Sequence, residues 1–99
     1  MPDMKYAKLE SAAYRKGRKL AAKRGLDLAL LDAVVTILLA GAQLPKEYKD
    51  HPLKGKFSGC RECHVDGRKG DWLLVYEKIE QSLVLYLVDT GTHDDIFRR

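Results

Sequence analysis

Residues 28–40 constrain the fold most, because as a helix they would be apolar almost all the way round. Leu28, Leu31, Val35 and Leu38 form one stripe at helical spacing, and Leu30, Val34 and Ile37 form a second. A helix patterned this way is buried on most sides. The run is interrupted by Asp32 and Thr36 and falls short of the ~20 apolar residues that cross a bilayer. It therefore needs a large apolar surface to lie against. A sheet can cover the first stripe, whereas part of the second is open to a partner chain.

The remaining sequence supplies that sheet. Residues 5–9 alternate weakly and read as a short first strand. Ser11 is placed to cap a helix over 11–24 that Gly25 terminates, and Asp27 caps the apolar helix that Gly41 ends. Pro45 opens a basic loop over 46–56. Strand-like runs follow at 59–65, 72–78 and 83–89. Gly67-Arg68-Lys69-Gly70 forms the first turn between them and Glu80-Gln81-Ser82 a tight hairpin. The order β-α-α-β-β-β predicts an α+β fold, two N-terminal helices packed on a small, mainly antiparallel twisted sheet. No repeat or linker divides the 99 residues, so one domain over 1–99 is expected.

The balance of 45% hydrophobic and 32% charged residues is that of a soluble globular protein. A net charge of +4 and a pI near 9.1 favour an anionic partner such as RNA. The first helix carries Arg15, Lys16, Arg18, Lys19, Lys23 and Arg24, which serve either as a solvated face or as a rail for RNA or an acidic partner. The first ten residues are polar and show no secretory core segment, and two cysteines without a signal suggest reduced thiols in the cytoplasm. No membrane association is expected.

Cys60-Arg61-Glu62-Cys63-His64 matches the C-x-x-C-H attachment signature of c-type haem. Strand alternation argues against that use, because it sends Cys60, Glu62 and His64 to one face and Arg61, Cys63 and Val65 to the other. Two thiols that point apart can neither clasp a haem nor share a zinc ion, so no cofactor and no structural metal are expected. The same alternation sets Glu62 beside His64, and a carboxylate next to an imidazole makes an acid–base pair. Asp71 begins the next strand, near that pair. His51 precedes the sheet and His93 follows its last strand. Spacing alone leaves structural, exposed and catalytic roles open for each histidine.

Several motifs, in order, carry a resemblance. Tyr48-Lys49-Asp50-His51-Pro52-Leu53 with Gly55, Arg61-Glu62-Cys63-His64-Val65, Asp71-Trp72-Leu73-Leu74-Val75-Tyr76, Gly91-Thr92-His93 and Ile96-Phe97 resemble the ordered motifs of YafQ-type toxins in the RelE/ParE superfamily. The resemblance covers residues 44–97. It implies a type II toxin, a ribosome-dependent endoribonuclease that cuts messenger RNA in the ribosomal A site and is held inactive by a cognate antitoxin. It implies His51, His64 and His93 as active-site histidines, Glu62 and Asp71 as the acidic positions, and Phe97 as an aromatic that stacks on a base or closes the end of the sheet. Lys49, Lys54 and Lys56 lie beside the site in sequence and can offset phosphate charge, as can Arg68 and Lys69 near Asp71.

One position departs from the pattern. The family commonly has arginine two residues before the glycine of its final motif, and this chain has Asp89. At a few ångströms and an effective dielectric near 20, that reversal costs roughly several kcal/mol of phosphate binding. The alternative reading is therefore a catalytically weak or inactive member acting as a binding protein in an antitoxin or repressor complex. The histidine set argues against the gyrase-poisoning ParE branch, which generally lacks it.

Overall fold

The computed structural model describes residues 4–67 and 70–98. In chain order the elements are β1 (Ala7–Glu10), α1 (Ala12–Lys23), α2 (Leu28–Leu39), β2 (His51–Pro52), β3 (Arg61–His64), β4 (Leu73–Ile79), β5 (Val84–Gly91) and α3 (His93–Phe97). Single 3-10 turns at Lys46–Tyr48 and Gly55–Phe57 flank β2.

Both predicted caps form. The Ser11 hydroxyl accepts from the Tyr14 N–H at 2.9 Å and donates to the Val88 carbonyl at 2.5 Å, so the cap also pins α1 to the sheet. Asp27 accepts from the Ala29 N–H at 3.0 Å. In α2 the stripe that contains Leu31, Val35 and Leu38 is buried. The second stripe divides: Val34 is buried, Ile37 is half-buried and Leu30 is 45% exposed. No helix among the described residues is long and apolar enough to cross a membrane.

The five strands form one sheet in the order β1-β5-β4-β3-β2. β1 runs parallel to β5 and the other neighbours are antiparallel. A bulge interrupts the β4–β5 pairing: Val75 lies opposite Asp89 and Tyr76 opposite Leu87, leaving Val88 as the extra residue. One face of the sheet sends Cys63, Val65, Leu74, Tyr76, Leu85 and Leu87 into the main core with α1 and α2. The opposite face carries a smaller apolar cluster of Cys60, Leu73, Val75 and Ile96, with Leu53, Phe57 and Val88 against it. The sheet is thus covered mainly by the N-terminal helices on one side, and in part by α3 and the segment after β2 on the other.

The sequence reading omits two elements, β2 and α3. Two residues are too few to show a period, and the five of α3 fall short of two turns. A signal for α3 was nevertheless present: Thr92 and Asp95 form a reciprocal capping box, the spacing that marks a helix start. The last hairpin is one residue longer than expected, with turn residues at 80–83 and Leu83 at φ 53°.

α1 lies very close to β5 at Gly17, where an added Cβ would stand 2.1 Å from the Thr90 carbonyl oxygen. Alanine is the better helix former by about 1 kcal/mol, but forcing an atom into packed backbone costs about 1–3 kcal/mol or more. Gly17→Ala is therefore expected to lower the urea midpoint. A midpoint equal to or above wild type would show that α1 does not sit this close.

Candidate active site

Strand alternation divides β3 as the sequence implies. Cys63 is fully buried in the main core and Cys60 lies in the smaller cluster on the opposite face, so the sheet separates the two free thiols. Burial pushes both thiols up from the usual cysteine range, which leaves them poor nucleophiles at neutral pH.

Glu62 and His64 project to the face of Cys60, and three imidazoles gather round the Glu62 carboxylate. Glu62 Oε1 lies 3.5 Å from His51 Nε2, 3.8 Å from His93 Nε2 and 3.9 Å from His64 Nε2. The Glu62 side chain is only 4% exposed, while those of His51 and His93 are 50% and 53% exposed. A buried carboxylate is costly unless partnered, and its partners here are ring nitrogens. The arrangement comes from three separate elements. β2 sets His51 directly opposite Glu62. β3 carries Glu62 and His64. The turn from β5 into α3 delivers His93.

Asp71 joins His93 rather than the Glu62–His64 pair. Its Oδ1 accepts from His93 Nδ1 in a short contact and from the His93 backbone N–H at 3.1 Å. A carboxylate can only accept, so Nδ1 carries the proton, and Nε2 is left to face Glu62. The turn into α3 is held by Arg24, whose guanidinium meets both oxygens of Asp95 at 2.7 and 3.2 Å. Gly91 makes the turn possible: a Cβ there would approach Asp95 Cβ to 2.8 Å. His64 is the most enclosed of the three histidines. Its Nδ1 is buried and has no hydrogen-bond partner among the described residues.

Phe97 is 37% exposed. Its ring meets Phe57 edge-on at 5.4 Å and lies 6.0 Å from the His93 ring at 33°. Lys56 reaches over Phe57, its Nζ 5.3 Å from the ring centre. Lys49 lines a different groove of about 580 Å³ with Lys46, Asp50, Arg61 and Lys78. Arg68 and Lys69 lie outside the described residues. Asp89 is buried in a row across the sheet with Val75 and Glu62, and it accepts from the Thr90 N–H at 2.9 Å. The sequence reading did not single out Phe57, or Asp50 with its partners Arg61 and Tyr76. Asp50, Arg61 and Tyr76 entered it only as members of the motifs that carry the resemblance, with no role attached.

A model of the family described as "Bacterial toxin of type II toxin-antitoxin system, YafQ" matches residues 6–98. The chain belongs to the YafQ toxin family. It is 40% identical to the mRNA interferase toxin YafQ of Escherichia coli K12 over 88 residues, 88% of this chain and 90% of that protein. The crystal structure of the E. coli DinJ–YafQ toxin–antitoxin complex superposes with a TM-score of 0.82 at 37% identity, covering 95% of this chain and 99% of that one. A metal-bound toxin from Helicobacter pylori superposes at 0.84 with 41% identity, covering 93% and 99%. In this member of the YafQ family, no group of three or more histidine, cysteine or carboxylate side chains among the described residues is arranged to hold a metal ion.

The hydrogen bond from the His93 ring, then that from its backbone N–H, holds the Asp71 carboxyl below the usual carboxylate range. A carboxyl lowered on folding stabilises the native state above its unfolded pKa, about 3.9, and that contribution is lost as pH falls through the folded value. By carboxyl-carbon NMR, Asp71 is expected to titrate below about 3.9 in the wild type and to return toward it in His93→Ala. A wild-type Asp71 that titrates at or above the free value would contradict the pairing.

Proposed function

We propose that this chain is an endoribonuclease that cleaves messenger RNA on the ribosome and is held inactive by a cognate antitoxin. The observation that carries this reading is one buried carboxylate, Glu62, with three imidazole nitrogens at 3.5–3.9 Å on an open face of the sheet. The E. coli relative is named an mRNA interferase toxin, and the DinJ–YafQ complex pairs such a toxin with its antitoxin.

The chemistry suits these groups. The RNA 2′-oxygen attacks the adjacent phosphorus, the P–O5′ bond breaks, and a 2′,3′-cyclic phosphate and a free 5′-hydroxyl result. A base must take the 2′ proton and an acid must protonate the leaving 5′-oxygen. Each such transfer contributes typically 10²–10⁴-fold. His51 and His93 are the more exposed histidines and can reach both oxygens. Glu62 lies between them, Asp71 fixes the His93 ring, and His64 closes the enclosed side. Phe97 offers a half-exposed ring for a base, and stacking of that kind is worth about 1–3 kcal/mol per base. Lys54 and Lys56 are the lysines proposed to supply positive charge for the phosphate, with Arg68 and Lys69 proposed from sequence alone, while Lys49 lines the separate groove and is not assigned to it. His51 and His93 are about half exposed, which suits a strand held in line by an outside template. The ribosomal A site serves as that template, which places the protein in the cytoplasm.

The test is cleavage of a translated message in vitro. His51→Ala and His93→Ala are each expected to lower the cleavage rate about 10²–10⁴-fold while the proteins stay folded. Cleavage intact in both would sink the assignment. Asp89 motivates the second reading, a weak or inactive member that acts by binding. It is an acidic group in the same strand row as Glu62, at the position where the resemblance expects arginine. Growth arrest on induction with message left intact would favour that reading, and position-specific cuts within translated message would exclude it.

A further inference from the structure

His51 is the least anchored of the three histidines. Its strand is two residues long and sits at the edge of the sheet. Beyond its ladder to β3, one tie holds the far end: the Leu53 N–H donates to the Cys60 carbonyl at 2.9 Å. The near end begins at Lys49, which turns through the left-handed region at φ 51°, ψ 44°. The next residue, Asp50, reaches the helix-covered side of the sheet while His51 reaches the open side. On the covered side Asp50 Oδ1 accepts from the Tyr76 hydroxyl at 2.7 Å and from Arg61 Nε at 3.1 Å. Tyr76 is fully buried in β4, and Arg61 stands directly opposite it in β3. One carboxylate thus ties the start of β2 to both strands behind it.

We propose that Asp50 is a positioning residue for the cleavage reaction: anchored from behind the sheet by Tyr76 and Arg61, it sets where the His51 ring stands beside Glu62. The proposal rests on the ribonuclease reading of the site. Asp50 and His51 are adjacent in sequence but serve opposite faces, so a shift of the Asp50 carboxylate is passed to His51 through one peptide unit. Burial, and then the bond to Asp50, push the Tyr76 phenol well above the usual tyrosine range, so it remains a donor across the working pH. A charge-assisted pair to a donor locked in the central strand gives β2 a fixed reference that its own two residues cannot supply.

The test combines Asp50→Ala, Asp50→Asn and Tyr76→Phe with single-turnover cleavage on programmed ribosomes and NMR of the histidine rings. Displacing a reacting group by about 1 Å costs on the order of 10²-fold. Asp50→Ala is expected to lose roughly 10- to 100-fold in rate with little change in the concentration that half-saturates cleavage. It is also expected to move the His51 ring signals and leave those of His64 and His93 in place. Asp50→Asn keeps an acceptor oxygen and is expected to recover most of the rate. Tyr76→Phe removes one donor without emptying the core and is expected to fall between. In a His51→Ala background, Asp50→Ala is expected to cost nothing further. The proposal is overturned if the His51 ring signals do not move in Asp50→Ala and Tyr76→Phe, or if Asp50→Ala costs the same factor with His51 absent. Full cleavage by His51→Ala would instead overturn the catalytic reading, and the ring signals would still decide whether Asp50 places His51.

Discussion

β4 is buried on both of its faces, and the rest of the structure depends on covering them. Leu73, Leu74, Val75 and Tyr76 are each shielded from solvent, although alternate side chains point in opposite directions. Leu74 and Tyr76 join the large core beneath α1 and α2, while Leu73 and Val75 join a smaller cluster with Ile96, Cys60 and Phe57. Fully burying an aliphatic side chain of this size is worth about 1.5–3 kcal/mol, so both faces contribute and neither can be left open. The described residues of this 99-residue chain form two substantial helices with which to do this, and both go to one side. The other side is closed by short pieces, one turn of 3-10 helix before β3 and the five residues of α3.

The site lies on the side that is closed by short pieces. α3 and the residues after β2 cover the apolar part of that face and leave its polar edge exposed. His93 belongs to α3 and His51 to the two-residue edge strand β2 that leads into the other covering segment, whereas Glu62 and His64 stand on β3. These four side chains therefore meet at a seam between β3 and two short, separately tethered additions. Each addition has its own tether: Asp50 to Tyr76 and Arg61 for β2, and Asp95 to Arg24 for α3. The basic helix α1 contributes to the site at its C-terminus, where Arg24 holds the turn that delivers His93.

Much of this was readable from residue order. Alternation along 60–65 separated the two cysteines, which removed the haem and zinc readings of the C-x-x-C-H motif and put Glu62 beside His64. The caps at Ser11 and Asp27 and the main strands followed from local chemistry, because a cap or a period of two is a short-range property. β2 was not readable, since two residues have no period and its existence depends on pairing with β3. The division of the second stripe of α2 was not readable either. Val34 is buried and Leu30 exposed although both are apolar, because only the placement of the neighbouring elements decides which part of a helix surface meets the sheet.

The sequence by itself determined which side chains share a face, since that follows from backbone geometry within each strand. It therefore determined that Glu62 and His64 stand together and that Cys60 and Cys63 do not. The tertiary structure alone decided that His51 and His93 complete the set, and that Asp71 serves His93 instead of Glu62. Those pairings join residues 11 and 22 positions apart in sequence, as well as others still more distant. Their meeting depends on how β2 and α3 dock on the sheet, which no local pattern encodes.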